Sequence, residues 1–302
     1  MRITFYDKRE KSKQASENEV ELLLNDFSEK IPKLIYFSIT KGKPKIIINL
    51  VLAVCDRARN GNFSFLRYKE NIVREIIGFK PKKARVEHDG KEIFVGFLNV
   101  DLTCPTFSII REIIQNNQYD ISEKIVTGRC VVDAGANIGL FSIWACKLGA
   151  RRVYAFEPVK ETFEQLEENI KLNNMTNKIT AENVALGEKR CSKKINYLGG
   201  GDPCAKIENR KNNLKIQKID VIRLDDYDFK KIPNVIKIDT EGYEENVILG
   251  SKKIIKKYKP ILIFSAYHKK NDRRYLPKII TAIRNDYMFR EIERDEFIIN
   301  AK

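Results

Sequence analysis

Apolar residues from Cys130 onward follow two alternating patterns along the chain. Short continuous apolar runs predict buried strands, and segments with apolar residues at helical spacing predict amphipathic helices. The predicted strands are 130–134, 152–156, 183–187, 235–238 and 260–264, and the predicted helices are 138–148 and 160–173. Strands that alternate with helices predict an α/β fold, with a mostly parallel sheet between helices and a ligand crevice at the carboxyl ends of the strands.

The flanking segments follow other patterns. Residues 1–80 carry apolar clusters at helical spacing, at 18–26 and 46–59, which predict a mainly helical N-terminal extension. Residues 85–97 predict two strands joined at Asp89-Gly90, a dipeptide typical of tight hairpin turns.

A helix is predicted at 107–115, and two short apolar stretches within 288–301 predict an antiparallel C-terminal hairpin. These patterns divide the chain into an extension, 1–80, and a second domain, 81–302. Within the second domain, the hairpin and helix of 81–125 lead into the core at 126–302.

The turn after the first predicted strand has the sequence Asp-x-Gly-x-Asn-x-Gly, from Asp133 to Gly139, and Glu157 ends the second strand. Glu157 follows Gly135 by 22 residues, close to the ~20 expected between a glycine turn and an acid that binds ribose hydroxyls. An adenosine cofactor could bind to both the glycine turn and this acid. The alternative is that Asp133 only caps the turn and Glu157 only precedes a helix.

Asp133 indicates which adenosine cofactor is meant. A carboxylate beside the turn would repel a pyrophosphate, which prefers a helix N-terminus without nearby negative charge. The same carboxylate suits the ammonium and sulfonium groups of S-adenosylmethionine. The sequence therefore favours this methyl donor over NAD.

Three motifs carry a resemblance to a known family. They are D-x-G-A-N-x-G at 133–139, F-E-P at 156–158 and K-I-D-x-E-G-x-E at 237–244. In that order they resemble the FkbM family of S-adenosylmethionine-dependent methyltransferases, over a region from about Arg85 to the C-terminus. The resemblance implies a class I methyltransferase Rossmann-like sheet of seven strands. Many relatives carry an acid where this chain has Tyr267, before His268.

The strand ends supply the candidate site residues. The expected cofactor-binding residues are Asp133, Gly135, Asn137, Gly139, Glu157, Asn183 and Ala185, and the expected catalytic residues are Asp239, Glu241 and His268. A hydroxyl acceptor benefits from a base that removes its proton, and an imidazole titrates in the right range. Alternatively, Glu241 only complements a helix dipole, and His268 is a hydrogen-bonded loop residue. No metal-ligand set with convincing spacing is predicted, although the alternative of a divalent ion held by Asp239 and a neighbour stays open.

The acceptor is expected to be a hydroxyl. Enzymes that methylate exocyclic amino groups usually carry an N-P-P-Y-type tetrapeptide where this chain has Asp239-Thr-Glu-Gly. The family resemblance implies O-methylation of sugars or natural products, and a glycan or lipid-linked oligosaccharide is the preferred acceptor. The alternatives are a tRNA methyltransferase, a non-catalytic cofactor-binding protein and, least favoured, an NAD-dependent oxidoreductase.

Composition limits the partners. The chain has 302 residues, 43% of them hydrophobic, and a net charge of +15, which attracts RNA, anionic lipid or acidic sugars. No RNA-binding motif is evident, so nucleic acid is not favoured; peripheral contact with an anionic membrane stays open, as does the oligomeric state.

The six cysteines form no C-x-x-C pair, which is typical of reduced thiols in the cytoplasm and argues against zinc. The charged opening of the chain predicts no signal peptide, and the longest apolar run, 46–55, is shorter than the ~20 residues needed to span a bilayer.

Overall fold

The computed structural model describes residues 1–6, 12–16, 38–43, 45–46, 82–97, 105–197, 215–293 and 297–301. Two compact units divide the chain between Gln115 and Asn116. The elements of the first unit are β1 (Arg2–Tyr6), β2 (Ser12–Gln14), β3 (Lys83–His88), β4 (Lys91–Gly96), α1 (Pro105–Ile110) and a π-helical turn at Arg111–Gln115.

The four strands of the first unit form an antiparallel sheet in the order β2-β1-β3-β4. Buried side chains alternate along three of these strands: Ile3, Phe5, Ala84, Val86, Ile93 and Val95. The Asp89-Gly90 hairpin is confirmed, because β3 and β4 pair from His88 to Lys91 and both turn residues have positive φ, 48° and 72°. Positive φ at both central positions is what a tight hairpin turn requires.

The expectation of a mainly helical extension over 1–80 missed β1 and β2. Strand β1 pairs with the short neighbouring strand β2 and with β3, about 80 residues further along the chain, and no local pattern reveals the pairing with β3. Ile46, at the start of the helix predicted at 46–59, is helical and buried. The rest of that helix and the helix predicted at 18–26 lie outside the described residues.

The second unit begins at Asn116. Its helices are α2 (Glu123–Val126), α3 (Leu140–Lys147), α4 (Lys160–Leu172), α5 (Glu244–Gly250), α6 (Lys252–Tyr258) and α7 (Asp272–Ile283). Its strands are β5 (Cys130–Ala134), β6 (Arg152–Phe156), β7 (Ile179–Glu182), β8 (Ala185–Leu186), β9 (Cys191–Tyr197), β10 (Lys215–Ile222), β11 (Val235–Ile238), β12 (Ile261–Ser265), β13 (Phe289–Glu293) and β14 (Phe297–Ala301). In the described ranges, no helix combines the length and the apolar character needed to cross a membrane.

The main sheet of the second unit has seven strands in the order β13-β14-β12-β11-β5-β6-β7. The five strands β5, β6, β7, β11 and β12 are parallel, and β14 runs antiparallel to its neighbours β12 and β13. The α/β fold class expected from the sequence is therefore confirmed. The order reverses direction between β5 and β11, so the carboxyl ends of these central strands define the crevice where such folds bind ligands.

The central strands form because their residues can be buried on both faces. Every residue of β5 and of β11 is buried, including the charged Asp133 and Lys237. Near-continuous apolar runs of this kind suit a parallel sheet covered by helices on both sides. The two charged residues are adjacent partners in the register of β5 and β11.

The third strand of the sheet lies earlier than predicted. Strand β7 is Ile179–Glu182, whereas Ala185–Leu186 forms β8 and pairs with β10 in a separate three-stranded sheet of order β8-β10-β9. The prediction at 183–187 was wrong because both strands are short, and only their pairing separates them. The C-terminal hairpin of β13 and β14 lies where the sequence predicts it.

Candidate active site

The glycine loop, residues 135–139, follows β5 and turns the chain into α3. Three of its residues have positive φ: Gly135 at 75°, Asn137 at 50° and Gly139 at 86°. Such angles favour glycine, with asparagine the next most tolerant residue. A Cβ atom on Gly135 would also lie 1.9 Å from the carbonyl oxygen of Asp239, and one on Gly139 would lie 2.3 Å from Leu166 Cδ1. Both glycines are therefore required for packing within the protein.

The backbone N–H groups of the glycine loop all donate to acceptors within the protein. The five successive acceptors are the Phe156 carbonyl oxygen (twice, 3.1 and 3.0 Å), Glu157 Oε2 (3.0 Å), Asn137 Oδ1 (2.7 Å) and the Ala136 carbonyl oxygen (2.9 Å). A phosphate group needs free N–H donors at a helix N-terminus. This loop offers none of its five, so it is unsuited to hold a pyrophosphate.

Glu157 follows β6 and is buried beside the glycine loop. Its Oε2 accepts the Asn137 N–H at 3.0 Å and its Oε1 accepts the Val159 N–H at 2.8 Å. Burial raises the pKa of Glu157 to about 7, although the two N–H donors and the Lys237 charge oppose the increase. Each oxygen keeps a further lone pair with which to accept a hydroxyl donor.

Asn183 and Ala185 occupy different surroundings. Asn183 is exposed and donates through Nδ2 to the carbonyl oxygens of Glu157, at 2.8 Å, and Pro158, at 3.1 Å. It therefore lies at the rim of the Glu157 region. Ala185 is buried in β8, where its side chain joins an apolar cluster with Val159. Ligand binding by these two residues stays a prediction.

Asp133 differs from the role expected of it. The sequence suggests that this carboxylate meets the positive groups of S-adenosylmethionine, but it is fully buried and already has partners. Lys237 Nζ lies 3.0 Å from Asp133 Oδ1, and the Ser142 hydroxyl donates to Asp133 Oδ2 at 2.7 Å. Lys237 also donates to the Gly135 carbonyl oxygen at 2.8 Å. The pair thus connects β5, β11 and the glycine loop beneath the crevice.

Asp239 follows β11 and lies across the glycine loop from Glu157. The Tyr119 hydroxyl donates a short hydrogen bond to Asp239 Oδ2, and the Tyr119 ring packs edge-on against Phe141. Burial alone would raise the pKa of Asp239, but Lys237, His268 and the Tyr119 hydroxyl outweigh it and hold the pKa below its ordinary value. Asp239 is therefore a carboxylate at neutral pH.

His268 lies beyond β12 among three carboxylates. Its Nε2 is 3.7 Å from Asp239 Oδ1 and 3.4 Å from Glu241 Oε1, and its Nδ1 is 3.0 Å from Glu244 Oε1. We call these four residues the His268 cluster. Burial would lower the pKa of His268, but the three carboxylates outweigh it and raise the pKa to about 10. Without another cation in the cluster, His268 is an imidazolium at neutral pH and cannot act as the expected base.

The loop between β11 and α5 does not continue in the extended form that would place Asp239 and Glu241 on one side. Glu241 and Gly242 have φ of 55° and 97°. Glu244 Oε1 holds this turn by accepting the N–H groups of Thr240, at 2.9 Å, and Gly242, at 3.1 Å. The bent loop still directs both carboxylates to His268, so the three expected catalytic residues do come together.

Tyr119, Lys237 and Glu244 contribute to the site without having been singled out from the sequence. Lys237 and Glu244 lie within the K-I-D-x-E-G-x-E motif, and the charge of Lys237 in an otherwise apolar strand was the available signal. Tyr119 lies 120 residues before its partner Asp239, and no local pattern links the two.

The sheet order, the glycine loop, the acid after β6 and the carboxylates after β11 form a Rossmann-like α/β fold of the class I methyltransferase type. Within that class, the chain belongs to the FkbM methyltransferase family. The family model described as Methyltransferase FkbM domain matches residues 133–294, more than half of the chain.

Individual relatives show the extent of the similarity. Methyltransferase 1 of Beauveria bassiana (strain ARSEF 2860) is 28% identical over 166 residues, 47% of this chain and 66% of the relative. Methyltransferase sdnD of Sordaria araneosa is 32% identical over 91 residues, 30% of this chain and 35% of the relative. The chain thus spans less than two thirds of the length of these relatives.

Solved structures are also similar, among them the methyltransferase FkbM from Methylobacillus flagellatus KT. It is 25% identical, with a TM-score of 0.48, and the match covers 60% of this chain and 44% of that one.

Proposed function

We propose that the chain is an S-adenosylmethionine-dependent O-methyltransferase that acts on a hydroxyl of a sugar or natural product, such as a glycan or a lipid-linked oligosaccharide. The observation that carries the proposal is the buried Glu157 carboxylate after β6, held by the N–H groups of Asn137 and Val159. It leaves acceptor lone pairs for the two hydroxyls of a ribose.

The residues present fit this methyl donor better than a dinucleotide. S-adenosylmethionine supplies a methyl group activated by the positive sulfur and carries no phosphate. The glycine loop has no free N–H group for a phosphate, since all five donate within the protein. Glu157 would bind the ribose, and Asn183 at the rim would border the adenosine.

The acceptor hydroxyl would lie against Asp239. Among the described residues, Asp239 Oδ1 accepts no hydrogen bond, whereas Oδ2 is fixed by Tyr119. Oδ1 can therefore orient an incoming hydroxyl and accept the proton that this hydroxyl loses on methylation. His268 stabilises the carboxylate form of Asp239, and Tyr119 fixes its orientation.

A hydroxyl acceptor agrees with the chemistry of this strand end. The segment Asp239–Gly242 offers two carboxylates, which accept hydrogen bonds from hydroxyl donors, and has no asparagine-proline tetrapeptide for an exocyclic amino group. Membership of the FkbM family supports the same class of reaction.

Calorimetry with S-adenosylmethionine and S-adenosylhomocysteine tests the cofactor. We expect micromolar binding by the wild type and at least a tenfold loss in Glu157→Ala. Glu161→Ala is the matched control, because Glu161 on α4 pairs with Lys215 and accepts none of the glycine loop's hydrogen bonds. The absence of wild-type binding would overturn the proposal, and normal binding by Glu157→Ala would remove Glu157 from it.

Transfer of a labelled methyl group to glycans, oligosaccharide lipids and tRNA tests the acceptor. The net charge of +15 favours tRNA as the second candidate. If tRNA becomes labelled and RNA binding falls steeply as the salt concentration rises, the methyl acceptor is RNA and not a sugar. Cofactor binding without transfer in any acceptor pool would instead support a non-catalytic cofactor-binding protein.

A further inference from the structure

The His268 cluster has the ligand atoms of a metal site. Single side-chain atoms of Asp239, Glu241 and His268 all lie within 4.8 Å of one another. These residues come from two loops, after β11 and after β12, so their spacing along the chain does not form a metal-ligand motif. We propose that Asp239 Oδ1, Glu241 Oε1 and His268 Nε2 bind a divalent metal ion of the first transition row.

The distances suit a shared ion. Two ligands each ~2.1 Å from one metal are ~3.0 Å apart at a right angle and ~3.4 Å apart at a tetrahedral angle. His268 Nε2 lies 3.4 Å from Glu241 Oε1 and 3.7 Å from Asp239 Oδ1. Both separations are long for direct hydrogen bonds; 3.4 Å matches a tetrahedral angle at the ion, and 3.7 Å requires a wider angle of about 124°.

His268 is buried and directed into the cluster. Its side chain is only 4% exposed, and Nε2 makes no hydrogen bond with any described residue. Nε2 faces the carboxylate oxygens of Glu241 and Asp239 at ion-pair distance, and Asp239 Oδ1 likewise accepts no hydrogen bond of normal geometry among the described residues. Buried polar atoms normally make bonds of good geometry, and one ion bound between these two atoms would supply them to both.

Glu244 supplies the support that a metal-binding histidine needs. Histidine ligands usually direct their second ring nitrogen at a carboxylate, which fixes the ring and the tautomer. Here Nδ1 lies 3.0 Å from the buried Glu244 Oε1, and that oxygen is itself held by the N–H groups of Thr240 and Gly242. Nε2 is consequently the atom available for the ion.

The local charge also favours a cation. The cluster contains three carboxylates around one imidazole, and the nearby Lys237 is engaged by Asp133. An imidazole nitrogen with two carboxylate oxygens is a ligand set for ions such as Mn²⁺, Fe²⁺ or Zn²⁺. When bound, the ion would replace Asp239 Oδ1 as the group that meets an acceptor hydroxyl.

The test measures ion binding directly, without any methyl acceptor. Mn²⁺ is titrated into the metal-stripped chain while the electron paramagnetic resonance signal of free Mn²⁺ is recorded, and Zn²⁺ is titrated in competition with a coloured chelator. We expect one ion per chain, with binding at least tenfold weaker in Asp239→Asn and His268→Gln. His88→Gln is the matched control, since His88 is the only other histidine and lies in β3.

A second pair of variants separates a metal site from a simple network of ion pairs. Glu244→Gln should weaken ion binding by ~10–100-fold, because this change affects the support of the histidine rather than a ligand. Glu245→Gln, whose side chain accepts the Tyr275 hydroxyl instead, should not change it. Circular dichroism and binding of S-adenosylhomocysteine show that each variant is folded.

The outcomes distinguish this inference from the proposed function. If neither ion binds the wild type while S-adenosylhomocysteine does, the metal site is overturned and the methyltransferase proposal stands. If an ion binds and S-adenosylhomocysteine does not, the metal site stands and the methyltransferase proposal is overturned. Ion binding that is unchanged in both Asp239→Asn and His268→Gln would overturn the assignment to these ligands.

Discussion

Gly135 lies so close to Asp239 that a Cβ atom on the glycine would be 1.9 Å from the aspartate carbonyl oxygen. The glycine loop after β5 and the loop after β11 are therefore in backbone contact. This contact joins the candidate cofactor side of the crevice to its candidate acceptor side. A substitution that moves the backbone of one loop is therefore expected to move the backbone of the other.

Gly135→Ala is expected to destabilise the chain and abolish cofactor binding. A left-handed alanine costs about 1–2 kcal/mol, and displacement of the Asp239 backbone should add about 1–3 kcal/mol. Gly128→Ala is the control, because Gly128 has a φ of 72° with open space around its Cβ position. Urea unfolding compares the two variants. Equal losses in the free energy of unfolding would show that the close approach of Gly135 to Asp239 adds no cost.

Binding of an adenosine ligand should strengthen as the pH rises. Glu157 has a pKa raised to about 7, and only its carboxylate form can accept both ribose hydroxyls. The affinity should rise about tenfold from pH 6 to pH 8, with release of about half a proton at pH 7.

Calorimetry with 5′-methylthioadenosine in buffers of different ionisation enthalpy measures both quantities without the titratable amino-acid group. Glu157→Gln should bind with no pH dependence between pH 6 and 8. Equal pH dependence in the wild type and this variant would assign the proton to another group.

The same carboxyl should make the folded state less stable at higher pH. Its pKa is raised on folding, so its protonated form favours the folded state below the ordinary value of 4.5, and this contribution is lost as the pH rises through about 7. The loss amounts to at most about 3 kcal/mol. The measurement is the unfolding free energy of wild type minus Glu157→Gln at pH 5 and pH 8, and a constant difference would contradict it.

Lys237→Met should be among the most destabilising single changes in the sheet. It leaves the fully buried Asp133 carboxylate without its ion-pair partner, which typically costs about 3–5 kcal/mol. Lys252→Met, at an exposed position on α6, should cost less than about 0.5 kcal/mol. Adding Asp133→Asn to Lys237→Met should restore part of the lost free energy of unfolding in a urea titration. Additive losses from the two changes would contradict a stabilising ion pair between Asp133 and Lys237.

The sequence predicts the central sheet well because each of its strands carries its own signal. Strands β5, β6, β11 and β12 are runs of apolar residues that are buried on both faces, and the helices between them repeat at helical spacing. The Asp89-Gly90 turn is equally local, since both residues adopt the positive φ that their types favour.

What the sequence misses depends on pairing between distant segments. Strand β1 pairs with β3, about 80 residues away, and Ala185 was assigned to the main sheet because nothing local shows that it pairs with Val221. The site shows the same limit. Asp239, Glu241 and His268 were chosen for their types, but the charge state of His268 depends on Glu244, which only the fold brings to it.

The hydrogen bonds of the glycine loop determine how this crevice can respond to a ligand. Since all five N–H groups of residues 135–139 are satisfied from within, the loop has no unfulfilled donors that would drive it to rearrange. Recognition must then fall to side-chain oxygens and carbonyl groups around a loop whose own donors are already paired. Little ordering entropy remains to be lost on binding. Association should therefore be governed by diffusion into the crevice, with no slow closing step in this loop.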